Sequence, residues 1–423
     1  MKKLSIVFLS LFFISNAFGQ DIKYARETID KLCSPKYNGR GYVKGGDAKT
    51  AAFIYSELKK LKGFTVQYQP FVLPVNTFPN KMLVKLEGKK LEAGIDFLVA
   101  PECPSVKGKY KLLWVEYSVL QSQQHYDEFL QSNKSTSSVF AVVDTLPTLS
   151  KEERTRLNDL LSGKHTFIVG AVHLSNSKLL WSVGREQEAI AQITVKSDKF
   201  LRTTQEIEVK IDAVFMPRYT TQNVIGFIKG TKQPDSIIAL TAHYDHLGRM
   251  GKKTYFPGAN DNASGTAMLL DMARHYSENP PEYSMLFIAF AAEEAGLVGS
   301  NYYVNADPVY PLEKMKFLIN MDLMATGEKG IMAVNGLVFE EEYKTLVKIN
   351  DDKKYLCTVQ ARGKAANSDH YWFAEKGVHC FFFYLMGDFP SYHDPGDKAE
   401  IVPLTEYEDT FKLINDFINS LQQ

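Results

Sequence analysis

From about residue 220 onward the chain alternates nearly uninterrupted apolar runs with amphipathic stretches, and this pattern constrains the fold most. The runs are "NVIGFIKG", "DSIIALTAH", "SMLFIAFAA", "KFLINMD", "GIMAVN" and "VHCFFFYLM". Short apolar runs of this kind fit strands covered on both faces, and the intervening "GTAMLLDMARHYSE" and "EEEYKTLVKINDD" fit helices. Strands and helices in alternation predict an α/β domain on a largely parallel sheet. In such sheets ligands gather beyond the carboxyl ends of the strands. The residues that follow these runs are His243, Glu293, Glu294 and Asp322.

Five short motifs carry acidic residues or histidines at such places. "TAHYDHLG" holds His243, Asp245 and His246; "PGANDNASG" holds Asp261; "FAAEEAGLVGS" holds Glu293 and Glu294; "LINMDLM" holds Asp322; "PSYHDPGD" holds His393. Each has an ordinary explanation when taken alone. Asp261 fits a turn or helix cap, and adjacent glutamates fit a solvated helix start. Asp322 is different, because a carboxylate directly after "FLINM" risks burial and then needs a partner or a metal. Taken together, imidazole and carboxylate donors without thiolate suit catalytic zinc. Two histidines and three carboxylates suffice for two ions ~3.5–4 Å apart if one carboxylate bridges. A further carboxylate is then left over as a base for water. A second His-Tyr-Asp, His125–Asp127, sits in "QSQQHYDEFLQ", a polar helical pattern with no strand before it. That copy reads as a solvated helix face.

In this order the motifs resemble the co-catalytic zinc exopeptidases, and more narrowly metallopeptidase family twenty-eight. That family holds aminopeptidases, glutamate carboxypeptidases and glutaminyl cyclases. The resemblance is dense over residues 220–400 and fainter over 21–78. It implies the zinc exopeptidase fold, a mixed, largely parallel sheet sandwiched by helices, and two Zn2+ per chain. By the same resemblance, His243 and Asp322 bind one zinc, Glu294 and His393 bind the other, and Asp261 bridges them. Glu293 is then the general base and later the acid, and Asp245 orients His243 from behind. His246 falls outside the ligand set, as pocket wall or structural residue. Tyr392 matches a position where some members place an oxyanion-stabilising phenol, and a plain aromatic wall fits it equally. In "NSDHYWF", Ser368 is expected as an N-cap and His370 as structural.

The implied reaction is amide hydrolysis on peptides with a free N-terminus, with aminopeptidase activity leading. The alternatives are a one-zinc glutaminyl cyclase, a carboxypeptidase for acidic dipeptides, and a binding protein on the same scaffold. "NDNASG" and "HDPGD" follow the peptidase pattern rather than the cyclase one, and all five expected ligands and Glu293 are present.

Residues 78–205 have another texture, with short β-like runs such as "SSVFAVVD" and "EAIAQITVKS". They weakly resemble the protease-associated domain and read as an inserted β-rich module. The expected division is therefore 1–20 signal peptide, 21–77 first part of the peptidase domain, 78–205 insert, and 206–423 catalytic domain. The opening "MKKLSIVFLSLFFISNAFGQ" has a basic start, an apolar stretch to about Phe13, then Ala17 and Gly19. This layout predicts cleavage between Gly19 and Asp21 and export, to a Gram-negative periplasm or beyond, with no membrane association afterwards. Lys+Arg and Asp+Glu both number 49, which gives nucleic acid no handle. Export permits disulfides among Cys33, Cys103, Cys357 and Cys380. A Cys357–Cys380 pair is expected, or else free buried thiols. No motif encodes an oligomeric state.

Overall fold

The computed structural model describes residues 22–144 and 146–422, so the expected signal peptide at 1–20 lies outside the described residues. The apolar runs form the centre of an eight-stranded mixed sheet. Its order is Phe64–Thr77, Val214–Ile228, Tyr283–Phe290, Gln233–His243, Met315–Met321, Cys380–Leu385, Ile331–Val334 and Val359–Arg362. Four neighbouring strands, from Tyr283–Phe290 to Cys380–Leu385, run parallel, and antiparallel pairings flank them. The sheet is thus parallel where the site lies and mixed outside it.

Side chains alternate between two cores, as a strand requires. Ile238, Leu240 and Ala242 face one core, with Met285, Phe287 and Ala289 beside them. Helices Ile22–Cys33, Gly46–Lys59, Gly265–Glu278 and Tyr407–Ser420 contribute to this core. Ile237, Ala239, Leu286, Ile288 and Phe290 face the other, against Tyr303, Val304 and Phe373 from helices Val298–Asn305 and His370–Glu375. Burial on both faces explains why these strands read as continuous apolar runs.

A second eight-stranded sheet occupies the interval between Phe64–Thr77 and Val214–Ile228. Those two strands pair antiparallel as a long ribbon, down to Thr77 opposite Val214, and the far end of the ribbon feeds the second sheet. The sheet closes with Glu206–Ile211, between Met82–Leu86 and Val106–Trp114, and so extends past the boundary expected at 205. "EIEVKI" carries the regular alternation of a half-buried strand, so nothing in it marks an edge. Leu247, Met250 and Phe256, which follow the "TAHYDH" strand end, pack into the core of this second sheet. The two layers therefore meet beside the residues of interest.

Two expectations are corrected. All four cysteines are free; Cys380 is buried and Cys357 exposed. Cys380 opens a strand from which Ile331–Val334 separates Val359–Arg362, the strand just after Cys357. Two inter-strand spacings of ~4.8 Å exceed the reach of a disulfide. Ser368 is not a helix cap: Asp369 precedes the helix His370–Glu375, and the Ser368 hydroxyl donates to Asp322 at 3.1 Å. The second His-Tyr-Asp lies on the helix Gln123–Asn133, where His125 is exposed and its amide donates to Ser122 at 3.1 Å. Among the described residues no helix is long and apolar enough to cross a membrane.

Phe287 tests the sandwich directly. It is fully buried in the central strand, with ring centroids 5.3 Å from Phe64 and 6.5 Å from Tyr276. Phe287→Ala should cost about 3–5 kcal/mol, seen as a lower midpoint in urea unfolding; a loss below about 1 kcal/mol would contradict this packing.

Candidate metal centre

Three parallel strands end at one edge of the main sheet, and each delivers an acid or imidazole there. Gln233–His243 ends on His243, Tyr283–Phe290 is followed by Glu293 and Glu294, and Met315–Met321 is followed by Asp322. Asp261 comes from the loop that enters the helix Gly265–Glu278, and His393 from the loop after Cys380–Leu385. All six candidate residues converge. His243 Nε2 is 3.4 Å from Asp261 Oδ1 and 3.3 Å from Asp322 Oδ1. His393 Nε2 is 3.0 Å from Asp261 Oδ2 and 3.2 Å from Glu294 Oε2. Asp261 thus turns one oxygen to each imidazole.

Two sets of three donor atoms lie within 4.8 Å of one another: His243, Glu293 and Asp322, and His246, Asp261 and Glu294. His246, expected to stand apart, is fully buried and its Nδ1 meets Glu294 Oε1 at 2.6 Å. Adjacent letters in a motif cannot say which of two imidazoles meets a glutamate 48 residues downstream. His246 Nε2 and Asp322 Oδ1 are buried without a hydrogen-bond partner among the described residues. Unpartnered buried donors and acceptors of this kind are costly unless a ligand occupies them.

The electrostatics point the same way. Burial pushes the Glu293 and Asp322 carboxyls above their usual range, and His243 opposes this in both. Burial would also raise Glu294, but His393 and His246 hold it down to about 2. It would likewise raise Asp261, and there His243 and His393 win and hold the carboxyl well below its usual range. Burial disfavours a charged His393, yet Glu294 and Asp261 push it up to about 11. Behind them, burial raises Asp369 to about 7 and Asp397 to about 6. Too many carboxylates for the available cations share one desolvated place. Imidazole and carboxylate donors in this arrangement fit zinc, and fit it without thiolate.

The supporting shell explains how the donors are held. Asp245 accepts from the amides of Glu293 and Glu294 at 3.1 and 3.4 Å, which fixes the turn that carries both glutamates. Its carbonyl, rather than its carboxylate, is nearest His243 Nδ1, at 3.2 against 3.8 Å. Asp397 accepts from the amides of Asn260 and Asp261 at 2.8 and 3.0 Å. Ser368 links Asp322 to Asn320, from which it accepts at 2.8 Å. Tyr392 lies flat on His393, with centroids 4.0 Å apart and an interplanar angle of 14°, and is 44% exposed.

Arg40 was not a sequence candidate. Its guanidinium is fully buried and donates to the carbonyls of Tyr244, Pro257, Gly258 and Asp261 at 2.9, 2.5, 2.6 and 3.1 Å. It ties the His243 loop to the Asp261 loop from beneath. Gly258 makes room for it: φ is +61°, and a Cβ there would lie 2.2 Å from the Asp261 oxygen and 2.6 Å from Arg40 Nη2. The only hint in the sequence is the Gly-rich "YNGRGY" around Arg40, which fits a tight turn but names no target.

Known proteins resemble this chain in sequence and in fold. Residues 223–418 match the family model described as Peptidase family M28. Aminopeptidase YwaD of Bacillus subtilis (strain 168) is 29% identical over 395 residues, covering 89% of this chain and 80% of YwaD. The structure of BSAP, a zinc aminopeptidase from Bacillus subtilis, superposes with a TM-score of 0.70 at 21% identity, covering 94% of each chain. The peptidase M28 precursor from Shewanella amazonensis SB2B gives 0.66 at 16% identity, covering 95% of this chain and 98% of that one. At these identities the two structures speak for the fold. Through residues 223–418, 196 of its 423, this chain matches the model of peptidase family M28.

Proposed function

We propose that the chain is an exported zinc-dependent aminopeptidase that removes N-terminal residues from peptides with two zinc ions. The observation that carries this reading is the Asp261 carboxylate, with one oxygen toward His243 and the other toward His393. On this reading His243 and Asp322 hold one zinc, Glu294 and His393 hold the second, and Asp261 is shared. The similarity to YwaD over most of both chains supports the aminopeptidase assignment. Zinc in this place supplies a Lewis acid that brings the pKa of water toward ~7 and polarises a carbonyl oxygen.

The chain's own residues do the rest. Glu293 accepts the proton of the attacking water and delivers it to the departing amine nitrogen. Burial, which raises its carboxyl, lets it hold that proton between the two events. Tyr392 donates its phenol to the developing oxyanion. Burial and the nearby Asp261 raise its hydroxyl above the usual range, which keeps the donor protonated. Asp245 keeps His243 and the two glutamates in register. The unpaired carboxylates around the site attract a substrate α-ammonium, and this restricts cleavage to the first residue. On the same reading the second sheet, which includes Glu206–Ile211 and so runs past residue 205, is a protease-associated-like insert, and the chain on either side of it forms the peptidase domain. The ribbon between Phe64–Thr77 and Val214–Ile228, which brackets the second sheet, supports that division. Export rests on the first twenty residues and leads to a Gram-negative periplasm or the medium.

A panel of peptides with free and blocked N-termini, assayed with and without chelator, tests the substrate class. Free termini should be cleaved, blocked ones spared, and chelation should abolish turnover. Cleavage of blocked peptides would overturn the exopeptidase reading, and one zinc per chain with pyroglutamate formation would point to a cyclase. Glu293→Gln should lower kcat about 100- to 10,000-fold while leaving zinc content by atomic emission unchanged. Turnover close to that of the parent protein would remove Glu293 as the base.

A further inference from the structure

An imidazole that offers Nε2 to a metal needs a fixed acceptor for its other ring nitrogen, because that bond sets tautomer and orientation. For His243 the acceptor is the Asp245 carbonyl in its own loop, at 3.2 Å. For His393 it comes from the other sheet. His393 Nδ1 meets the main-chain carbonyl of Trp181 at 2.9 Å, 212 residues away in sequence. The Trp181 amide returns a hydrogen bond to the His393 carbonyl at 3.0 Å. One residue of the second layer therefore holds both the ring and the main chain of a residue at the metal centre. His393 needs such support, since its φ of +51° is unfavourable for a side chain with a Cβ.

Trp181 is itself held by the second sheet. It lies in the connection between Ile168–Ser175 and Ala191–Lys196. It is 5% exposed, its indole Nε1 donates to the Val99 carbonyl at 2.9 Å, and its ring stacks on Phe256 at 4.7 Å. Three residues earlier, Lys178 reaches the same loop as His393. Its ammonium lies 2.5 Å from Asp394 Oδ2 and donates to the Pro390 carbonyl at 2.6 Å. Segment 178–181 thus spans loop 390–394 from both sides of the histidine.

We propose that the 178–181 segment of the second layer is a positioning element of the metal centre. Through the Trp181 main chain it presets His393, so that zinc affinity at the Asp261–Glu294–His393 position depends on docking of the second sheet. The His243–Asp322 position has its own local acceptor and does not depend on that docking. By linkage, zinc at the dependent position must in turn hold the 178–181 segment in place. This inference rests on the two-zinc reading given above.

The test is zinc titration of the metal-free full-length chain against a chromophoric chelator, with Trp181→Ala and Lys178→Met beside the parent protein. Loss of an outer-shell partner typically weakens metal binding about 10- to 100-fold. Trp181→Ala keeps the main-chain carbonyl but removes the indole that docks the segment on Val99 and Phe256, and should weaken one zinc equivalent up to that extent while leaving the other unchanged. Lys178→Met, on the surface, should shift the same equivalent by less. If Trp181→Ala does not fold, Lys178→Met and the parent protein carry the test. In the parent protein, zinc should slow amide exchange in a peptide covering residues 176–184 at least tenfold by mass spectrometry. Equal weakening of both equivalents, parent-like affinity for both in these variants, or exchange unaffected by zinc would overturn the proposal. A different result would sink the reading beneath it: His393→Ala binding zinc like the parent protein.

Discussion

Seven carboxylates gather at one edge of the main sheet: Asp245, Asp261, Glu293, Glu294, Asp322, Asp369 and Asp397. They meet only three imidazoles, those of His243, His246 and His393, and most of the group is buried. An uncompensated buried charge costs several kcal/mol, so this assembly must be repaid by cations and by hydrogen bonds to the remaining lone pairs. Much of the surrounding structure serves that need. Backbone amides at 260, 261, 293 and 294 point at Asp397 and Asp245. Arg40 brings a full positive charge beneath the Asp261 loop. Asp322 Oδ1, which finds no hydrogen-bond partner among the described residues, is an acceptor that a metal would satisfy.

The fold concentrates these groups because parallel strands all end on the same side. Three neighbouring strands, covered on both faces, put their following residues into one crevice without any long loop. Depth comes from elsewhere. The second sheet leaves the main one through the Phe64–Thr77 ribbon and returns over the same edge, where Leu247, Met250 and Phe256 join its core. Contact between the layers is thus also contact with the loops that carry the donors, and Trp181 with His393 is where the two become one structure.

Much of the main sheet was legible because burial on both faces writes itself into sequence as uninterrupted apolar runs. The candidates His243, Glu293, Glu294 and Asp322 were legible because they follow those runs closely, whereas Asp261 and His393 lie in loops and were read from the motifs. The second sheet was less so: strands such as Lys89–Lys90 and Phe97–Val99 are too short to show a period, and Glu206–Ile211 alternates without marking a boundary. Ser368 looked like a cap because a serine before an apolar helix is a local pattern. Its hydroxyl instead serves Asp322, a contact across 46 residues. The Cys357–Cys380 expectation failed for a similar reason, since nearness in sequence says nothing of the strand that separates them.

What the sequence determined by itself is the order of strands and helices, and which residues stand at the strand ends. Both follow from side-chain polarity, which each residue carries with it. What only the tertiary structure decided is who holds whom. His246 meets Glu294, Asp245 turns its carboxylate to two amides rather than to His243, and Arg40 and Trp181 act on carbonyl groups or through their own. Every residue owns a main-chain carbonyl and amide, so no letter marks the ones that matter. Their value arises only when the folded chain brings them to a buried donor or acceptor that has nowhere else to turn.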